Sequence, residues 1–554
     1  MKPYLIIAIC LLLPQTTTAK DKNKGNQLPK VTSYDREGKP LHEGVAFFIS
    51  SDGDVLTTYT ALQDAWSADV TDAKGKRWKV ERVYGASDLY DMVKLRTDCD
   101  KANAYKLSEN QPKLKDALFI VGPDGKQTRA TVNESKTYEG ITYYTLATPT
   151  DDSQTGCPVI NDKGQVVAVI QKNAEKDKSL SYAADIAVEK ELHVNALSAA
   201  LTALNSIHIP KQLPDDAKQA ASYLYLIAKN STDTLTYLTY LTGLADYIAL
   251  FPKDITGYAD RATYYAQNNR FDLAEADYDA ALKNVSDQSA VHYSLSKLIY
   301  QLNMYKSYQQ YKDWDLNRAL SEAQTAQQLS PGILNQLQVG NCHYALKQYQ
   351  QALDNYQAVN ATPAASPQTF FYAAKSREML DNDSTAVLAL LDSAMSRFHE
   401  PYNSEAAPFL YQRAQYRAKY GQYRPAAMDY HNYELLVGTA RLNDTFFYEK
   451  EQVDLLAHQY PWALEDIDKA LRIKPNEYIY LVEKAIVQLR VGNFDEATYA
   501  AQQAIKQNPQ GADAYKVLGI VAGEQGKKAE ALRHLQRAKE LGDTQAEQFI
   551  KQLK

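Results

Sequence analysis

The chain has 554 residues, room for roughly two to four domains, and carries a net charge of −6. That charge leaves no basic footprint of the kind a nucleic-acid partner requires, so no nucleic acid is expected among its ligands. Of its four cysteines, Cys99, Cys157 and Cys342 lie beyond the first segment, and an odd, scattered set makes no disulfide framework.

Lys2, the apolar run Leu5 to Leu13, Pro14 and then Thr17-Thr18-Ala19 read as a secretory signal peptide, residues 1–19, cleaved after Ala19. The run is too short to span a membrane. Cys10 follows Ile9 inside this run, where a lipoprotein cysteine would follow small residues, so lipid attachment is not expected. No other long apolar run exists. The expectation is therefore a mature chain without a transmembrane segment, exported across an inner membrane to the periplasm or the outer membrane. Residues 20–30 are polar and lysine-rich and read as a flexible linker.

From Val31 to about His193 short runs alternate apolar and polar residues: Val45 to Ile49, Val55 to Tyr59, Arg77 to Val83, Met92 to Leu95, Ala117 to Val121, Ile141 to Leu146 and Val166 to Ile170. Asp52-Gly53, Pro123-Asp124-Gly125 and Asp162-Lys163-Gly164 supply turns between them. Many short strands at this spacing argue an all-β barrel or sandwich over residues 31–205. Residues 189–205 read as helical, and Pro210 and Pro214 punctuate the passage into the C-terminal region.

Four blocks in this region carry a resemblance. Gly44 to Leu62 contains Leu56-Thr57-Thr58-Tyr59-Thr60-Ala61-Leu62; Asp91-Met92-Val93-Lys94-Leu95 comes next; then Ser153-Gln154-Thr155-Gly156-Cys157-Pro158-Val159; then Ser181-Tyr182-Ala183-Ala184-Asp185-Ile186. Their order resembles the trypsin-like serine proteases, particularly the compact bacterial periplasmic members. The resemblance implies a double β-barrel with the base histidine at Thr60, the orienting aspartate at Asp91 and the nucleophilic serine at Thr155. That mechanism needs an imidazole to take the hydroxyl proton and return it to the leaving amine. A threonine hydroxyl at position 60 is not basic near pH 7 and cannot carry the charge. His42, the nearest histidine, precedes the first block. Ser153 and Cys157 stand where the family ordinarily has glycine, which puts the oxyanion hole in doubt. Cys157 has no visible base and reads as a buried, inert thiol. Thr155 is internal, so the N-terminal amine that serves threonine nucleophiles is absent. The triad positions Thr60, Asp91 and Thr155 are thus expected to be degenerate, in a pseudoprotease.

From residue 215 the period changes. Tyr478 to Gly511 and Ala512 to Thr544 align at roughly 34 residues: Ala485 with Gly519, Gly492 with Gly526, Ala497 with Ala531, Ala504 with Ala538. The same template fits Tyr258 to Ala281, Gly340 to Tyr356, Ala414 to Tyr430 and Ala463 to Pro475. Ala374 to Leu390 fits more weakly. Ala319 to Pro331 fits as a second helix set behind an insertion, and residues 215–254 as a degenerate first unit. Small residues let paired helices approach closely, and proline ends the second helix. This spacing resembles the tetratricopeptide repeat (TPR), which implies an all-α solenoid of about eight units over residues 215–545. Residues 546–554 would be a C-terminal helix end.

Such a solenoid offers its first helices on a concave, peptide-binding face. The register places Asn341, Tyr344, Tyr411, Gln415, Tyr448, Gln452, Val482, Ile486 and Leu489 there, an aromatic, amide and aliphatic set. The lysine–asparagine pattern that clamps acidic C-termini is absent, so an apolar or mixed protein ligand is expected. No zinc spacing, phosphate loop or dinucleotide fingerprint is found, and neither metal nor cofactor is expected. The expected function is a periplasmic scaffold or adaptor whose partners are proteins or peptides of the cell envelope. The alternatives are an active serine- or threonine-type endopeptidase fed by the repeats, and a chaperone-like holdase.

Overall fold

A computed structural model describes residues 27–138, 140–173, 179–230, 234–305 and 310–553. The segment read as a signal peptide, and residues 20–26 of the leader, lie outside them. The chain divides into two compact units, one ending at Ser286 and the other beginning at Asp287.

The described residues of the first unit open with twelve strands. β1 (Lys30–Tyr34), β2 (Pro40–Phe48), β3 (Asp54–Thr57), β4 (Ser67–Thr71), β5 (Arg77–Ser87) and β6 (Met92–Thr97) close a barrel in the order β1-β2-β3-β6-β5-β4. β7 (Ala117–Val121), β8 (Gln127–Tyr138), β9 (Ile141–Leu146), β10 (Pro158–Ile160), β11 (Val166–Gln171) and β12 (Ser181–Asp185) close a second, β10-β11-β12-β9-β8-β7. Side chains alternate across a strand, so each central strand of the first barrel serves two cores. Ala46, Phe48, Val55 and Val93 fill the first barrel. Their neighbours Phe47, Leu56 and Met92 pack with Ile120 and Val159 of the second. That double duty explains why the two barrels share a wall, with residues of β2, β3 and β6 in both cores.

The leader is ordered earlier than its composition suggests. Leu28 is buried with the second barrel's core, its N–H donating to the Pro123 carbonyl at 3.1 Å, and the Pro29 carbonyl accepts from Ala46. Residues 189–205, expected as one helix, form 3-10 turns at Ile186–Glu191 and Ala196–Ala200 and a short helix at Thr202–Ser206. The Asp185 and Asn195 side chains cap Ala187 and Leu197 and restart the turn each time. The connector then runs along β5: Val83 donates to Pro210, and Gln212 donates back to Val83, both at 2.9 Å. Ile207, Ile209 and Leu213 join the first barrel's core, and so do Ala220, Tyr223, Leu244 and Tyr247 of the next two helices, Ala217–Asn230 and Thr234–Leu250. Arg82 on β5 forks onto Asp246 at 2.5 and 2.8 Å. The degenerate first helix pair is thus built onto the barrel. Ile255–Gln267 and Phe271–Asn284 complete this unit.

The described residues of the second unit form helices: Gln288–Tyr305 with Leu316–Leu329, Ile333–Ala345 with Tyr349–Asn360, Pro367–Asp381 with Ser384–Met395, Ala407–Lys419 with Tyr423–Val437, Asp444–Leu456 with Tyr460–Ile473, Tyr478–Arg490 with Phe494–Gln507, Ala512–Glu524 with Lys528–Glu540, and a last helix Ala546–Leu553. The turn inside a pair has one left-handed position. Asn269, Lys347, Asn382, Gly421, His458, Gly492 and Gly526 occupy it, with φ between 53° and 79°. Seven residues earlier the first helix carries Ala262, Gly340, Ala414, Ala485 or Gly519 against its partner helix. A Cβ on Gly519 would meet the Leu535 side chain at 2.6 Å. In Asp444–Leu456 the same slot holds Glu451, and in Pro367–Asp381 it holds Lys375.

Candidate functional site

The two barrels meet at a cavity of about 680 Å³ whose wall includes Thr58, Thr60, Asp91, Ser153, Thr155 and Lys172. Thr60 lies in the turn after β3; Asp91 precedes β6 in the left-handed region, at φ 43°. The Thr60 backbone N–H and its hydroxyl both donate to the same Asp91 oxygen, each at 2.8 Å. Burial pushes the Asp91 carboxyl up, and the bonds from Thr60 and the Lys172 charge oppose that rise. Asp91 therefore has a settled partner in the hydroxyl.

The turn carrying Thr155 is closed on itself. Asp152–Gln154 is a 3-10 turn capped by Asp151. The Ser153 N–H donates to the Asp151 carboxylate at 2.8 Å, and the Ser153 hydroxyl bonds the same oxygen. The Gln154 side chain accepts from the Asp151 N–H at 3.2 Å. The Thr155 N–H donates to the Asp152 carbonyl at 3.3 Å. Gly156, at φ 85°, donates to Ile170, and a Cβ there would meet Thr58 at 2.8 Å, so the close approach of the two loops requires glycine. Cys157 is fully buried and burial pushes its thiol up to about 12, which leaves no thiolate at neutral pH. Among the described residues no histidine lines this cavity; His42 is exposed on β2.

Residues 44–169 match the trypsin-like peptidase domain family, and residues 259–307 and 482–546 match the tetratricopeptide repeat family. The chain carries a trypsin-like peptidase domain followed by TPR repeats. No curated protein matches it. Solved structures that it is similar to include the serine endoprotease from Yersinia pestis (16% identity, 30% of this chain and 62% of that one, TM-score 0.26). Another is the Rv3671c protease from M. tuberculosis in its active form (15%, 39% and 96%, TM-score 0.28). A third is the HtrA-type protease AlgW with decapeptide (12%, 30% and 63%, TM-score 0.26). The chain thus spans less than two thirds of the Yersinia protein and of AlgW.

Within the trypsin-like domain the structure brings Thr60, Asp91 and Thr155 to one cavity. An oxyanion hole consists of N–H groups left free to meet a developing negative charge. In this turn the N–H of Ser153 is given to a carboxylate and that of Thr155 to a carbonyl. From sequence, the doubt about this hole falls on the Cβ of Ser153. The residue that closes the turn is instead Asp151, whose signal is the Asp-x-x-Gln spacing of a capping box at Asp151 and Gln154.

In the TPR repeats the expected binding residues divide. Val482 is buried, and Ile486 and Leu489 pack with the helix-pair cores. Asn341 accepts from the Tyr356 hydroxyl at 2.7 Å, and Tyr344 stands edge-on to Tyr349. Tyr411 packs on Tyr433 and donates to Glu449 at 3.1 Å; Tyr448 lies against Tyr480. Gln452 donates to Glu451 at 2.7 Å, and Gln415 is exposed.

A charged core lies beneath Gln452. Lys450, 2% exposed, bonds Asp466 and lies 3.3 Å from Glu434 and 3.6 Å from Asp454. Lys469 reaches Glu434 at 2.7 Å and Asp466 at 3.0 Å. Glu451 is fully buried with one oxygen unpartnered, and neither Asp454 oxygen accepts a hydrogen bond. Burial pushes both carboxyls up to about 8, the neighbouring acids adding to the rise.

Proposed function

We propose that the chain is an exported adaptor in which a pseudoprotease domain holds an extended polypeptide without cleaving it and the TPR repeats hold a second protein. The observation that carries this reading is the closed turn Asp151–Thr155, in which both N–H groups that would meet an oxyanion already have acceptors. The missing imidazole at Thr60 supports the same conclusion, since among the described residues no histidine lines the cavity to take the nucleophile's proton. Binding needs neither group: an extended segment pairs through its backbone and places side chains in the cavity. The leader sequence supports export to the periplasm, with envelope proteins as the partners, and the aromatic and amide residues on the first helices support a protein ligand for the repeats.

Incubating the mature protein with a labelled unfolded protein tests the reading. The expected result is no turnover above buffer. Turnover that disappears in Thr155→Ala would establish the endopeptidase alternative instead.

A further inference from the structure

A second cavity, of about 370 Å³, adjoins the first. The two share the walls Gln27, Leu28, Pro29, Asp72 and Ala73, so the leader and the β4–β5 turn form a rib between them. The second cavity differs in chemistry. Phe48 and Trp78 meet edge to face at 5.3 Å, and Lys76 lies over the Trp78 ring at 5.0 Å. Lys74 and Lys101 stand beside them on the wall, and Asp72 is the one acidic residue among the lining. The Asp72 carboxylate already accepts from the Lys74 and Lys76 backbone N–H groups at 2.9 and 2.8 Å, which fixes the turn that presents the two lysines. The cleft cavity has the opposite balance: Lys30 and Lys172 against Glu43, Asp72, Asp91 and Asp152, with Lys30 paired to Glu43.

We infer that the lysine-walled cavity is an extension of the cleft that takes the acidic end of the same bound polypeptide. The occupant is an extended segment with glutamate or aspartate side chains several residues from the part lying in the cleft. Three lysines beside an aromatic wall supply charge to the carboxylates and apolar surface to the aliphatic part of the chain. The shared rib makes one continuous ligand, rather than a separate small anion, the fitting occupant. This inference rests on the cleft's holding a polypeptide, and its test separates the two.

The experiment is fluorescence anisotropy on the mature full chain with labelled twelve-residue peptides. Their bodies alternate valine and threonine, and three glutamates, or in the controls three glutamines, stand at one end or the other. The expected result is that one of the two glutamate-ended peptides binds at least tenfold more tightly than its glutamine control, and that the advantage shrinks as salt is raised. In Lys74→Gln/Lys76→Gln/Lys101→Gln the advantage disappears, and the glutamate and glutamine peptides bind equally. Equal binding of glutamate and glutamine peptides overturns the lysine extension and leaves the cleft reading standing. Binding of free triglutamate as tight as that of the full peptide overturns the continuous-ligand claim. No binding by any peptide overturns both.

Discussion

In the cleft, the Asp91 carboxylate receives two bonds from Thr60, and Asp151 receives the donors of its own turn. In the helix pair Asp444–Ile473, two lysines are enclosed with Glu434, Asp454 and Asp466, beside a glutamate with an unpartnered oxygen. In the first region the retained aspartate and the donors of the Asp151 turn are bonded locally, at the edge of a cavity. The second keeps ionisable groups in a helix core with fewer donors than acceptors. Polar groups bonded locally therefore cost the barrel little, whereas the repeat's charges remain coupled to pH.

Removing a cation breaks the second region most strongly. Lys450→Ala takes away the lysine beside Asp454 and leaves Asp466 and Glu434 with Lys469 alone, and the expected loss is about 3–5 kcal/mol, read from urea unfolding of the mature protein. The pH dependence comes next. The folded-state pKa of Glu451 and of Asp454 is raised to about 8, well above the value of an unfolded carboxyl. The folded form therefore binds more protons between those limits, and stability declines as pH rises from about 5 to about 8, then levels off. The melting temperature of the repeats should fall by roughly 5 °C over that range. Glu451→Gln keeps the shape and removes one of the two titrations, so it should remove about half of the fall.

The cleft should respond less. Asp91→Ala removes the acceptor of two Thr60 bonds at a partly solvated site, and a loss of about 1–2 kcal/mol is expected in the barrel's unfolding transition. Smallest of all is the response to restoring the missing groups. Thr60→His/Thr155→Ser should fold like the parent and still release no labelled peptide, because the Ser153 and Thr155 N–H groups keep their acceptors. Turnover by that variant would show that the turn opens readily and that the two substitutions alone account for the loss.

The barrel pair was legible because four blocks stand in family order, and the repeats because Gly492 and Gly526 mark the same left-handed turn. In those blocks Thr60 and Thr155 stand where the resemblance implies a histidine and a serine. What sequence did not disclose depends on partners remote along the chain. Leu28 sits in a lysine-rich leader, yet it packs beneath Pro123. Lys74, Lys76 and Lys101 come together across the first barrel. Glu451 was visible as the glutamate in a slot that holds alanine or glycine in five other units. Only packing shows that the side chain stays inside. Asp151 and Gln154 had the right spacing for a cap, but which N–H groups they would remove from the cavity is a matter of three-dimensional geometry.

The central claim is that position 155 no longer carries an activatable nucleophile. Intact-mass measurement of the mature protein after treatment with a fluorophosphonate, alongside an active trypsin-like protease, tests it most directly. The account predicts an unchanged mass for this protein while the control gains one adduct. A stoichiometric adduct mapping to Thr155 would contradict it.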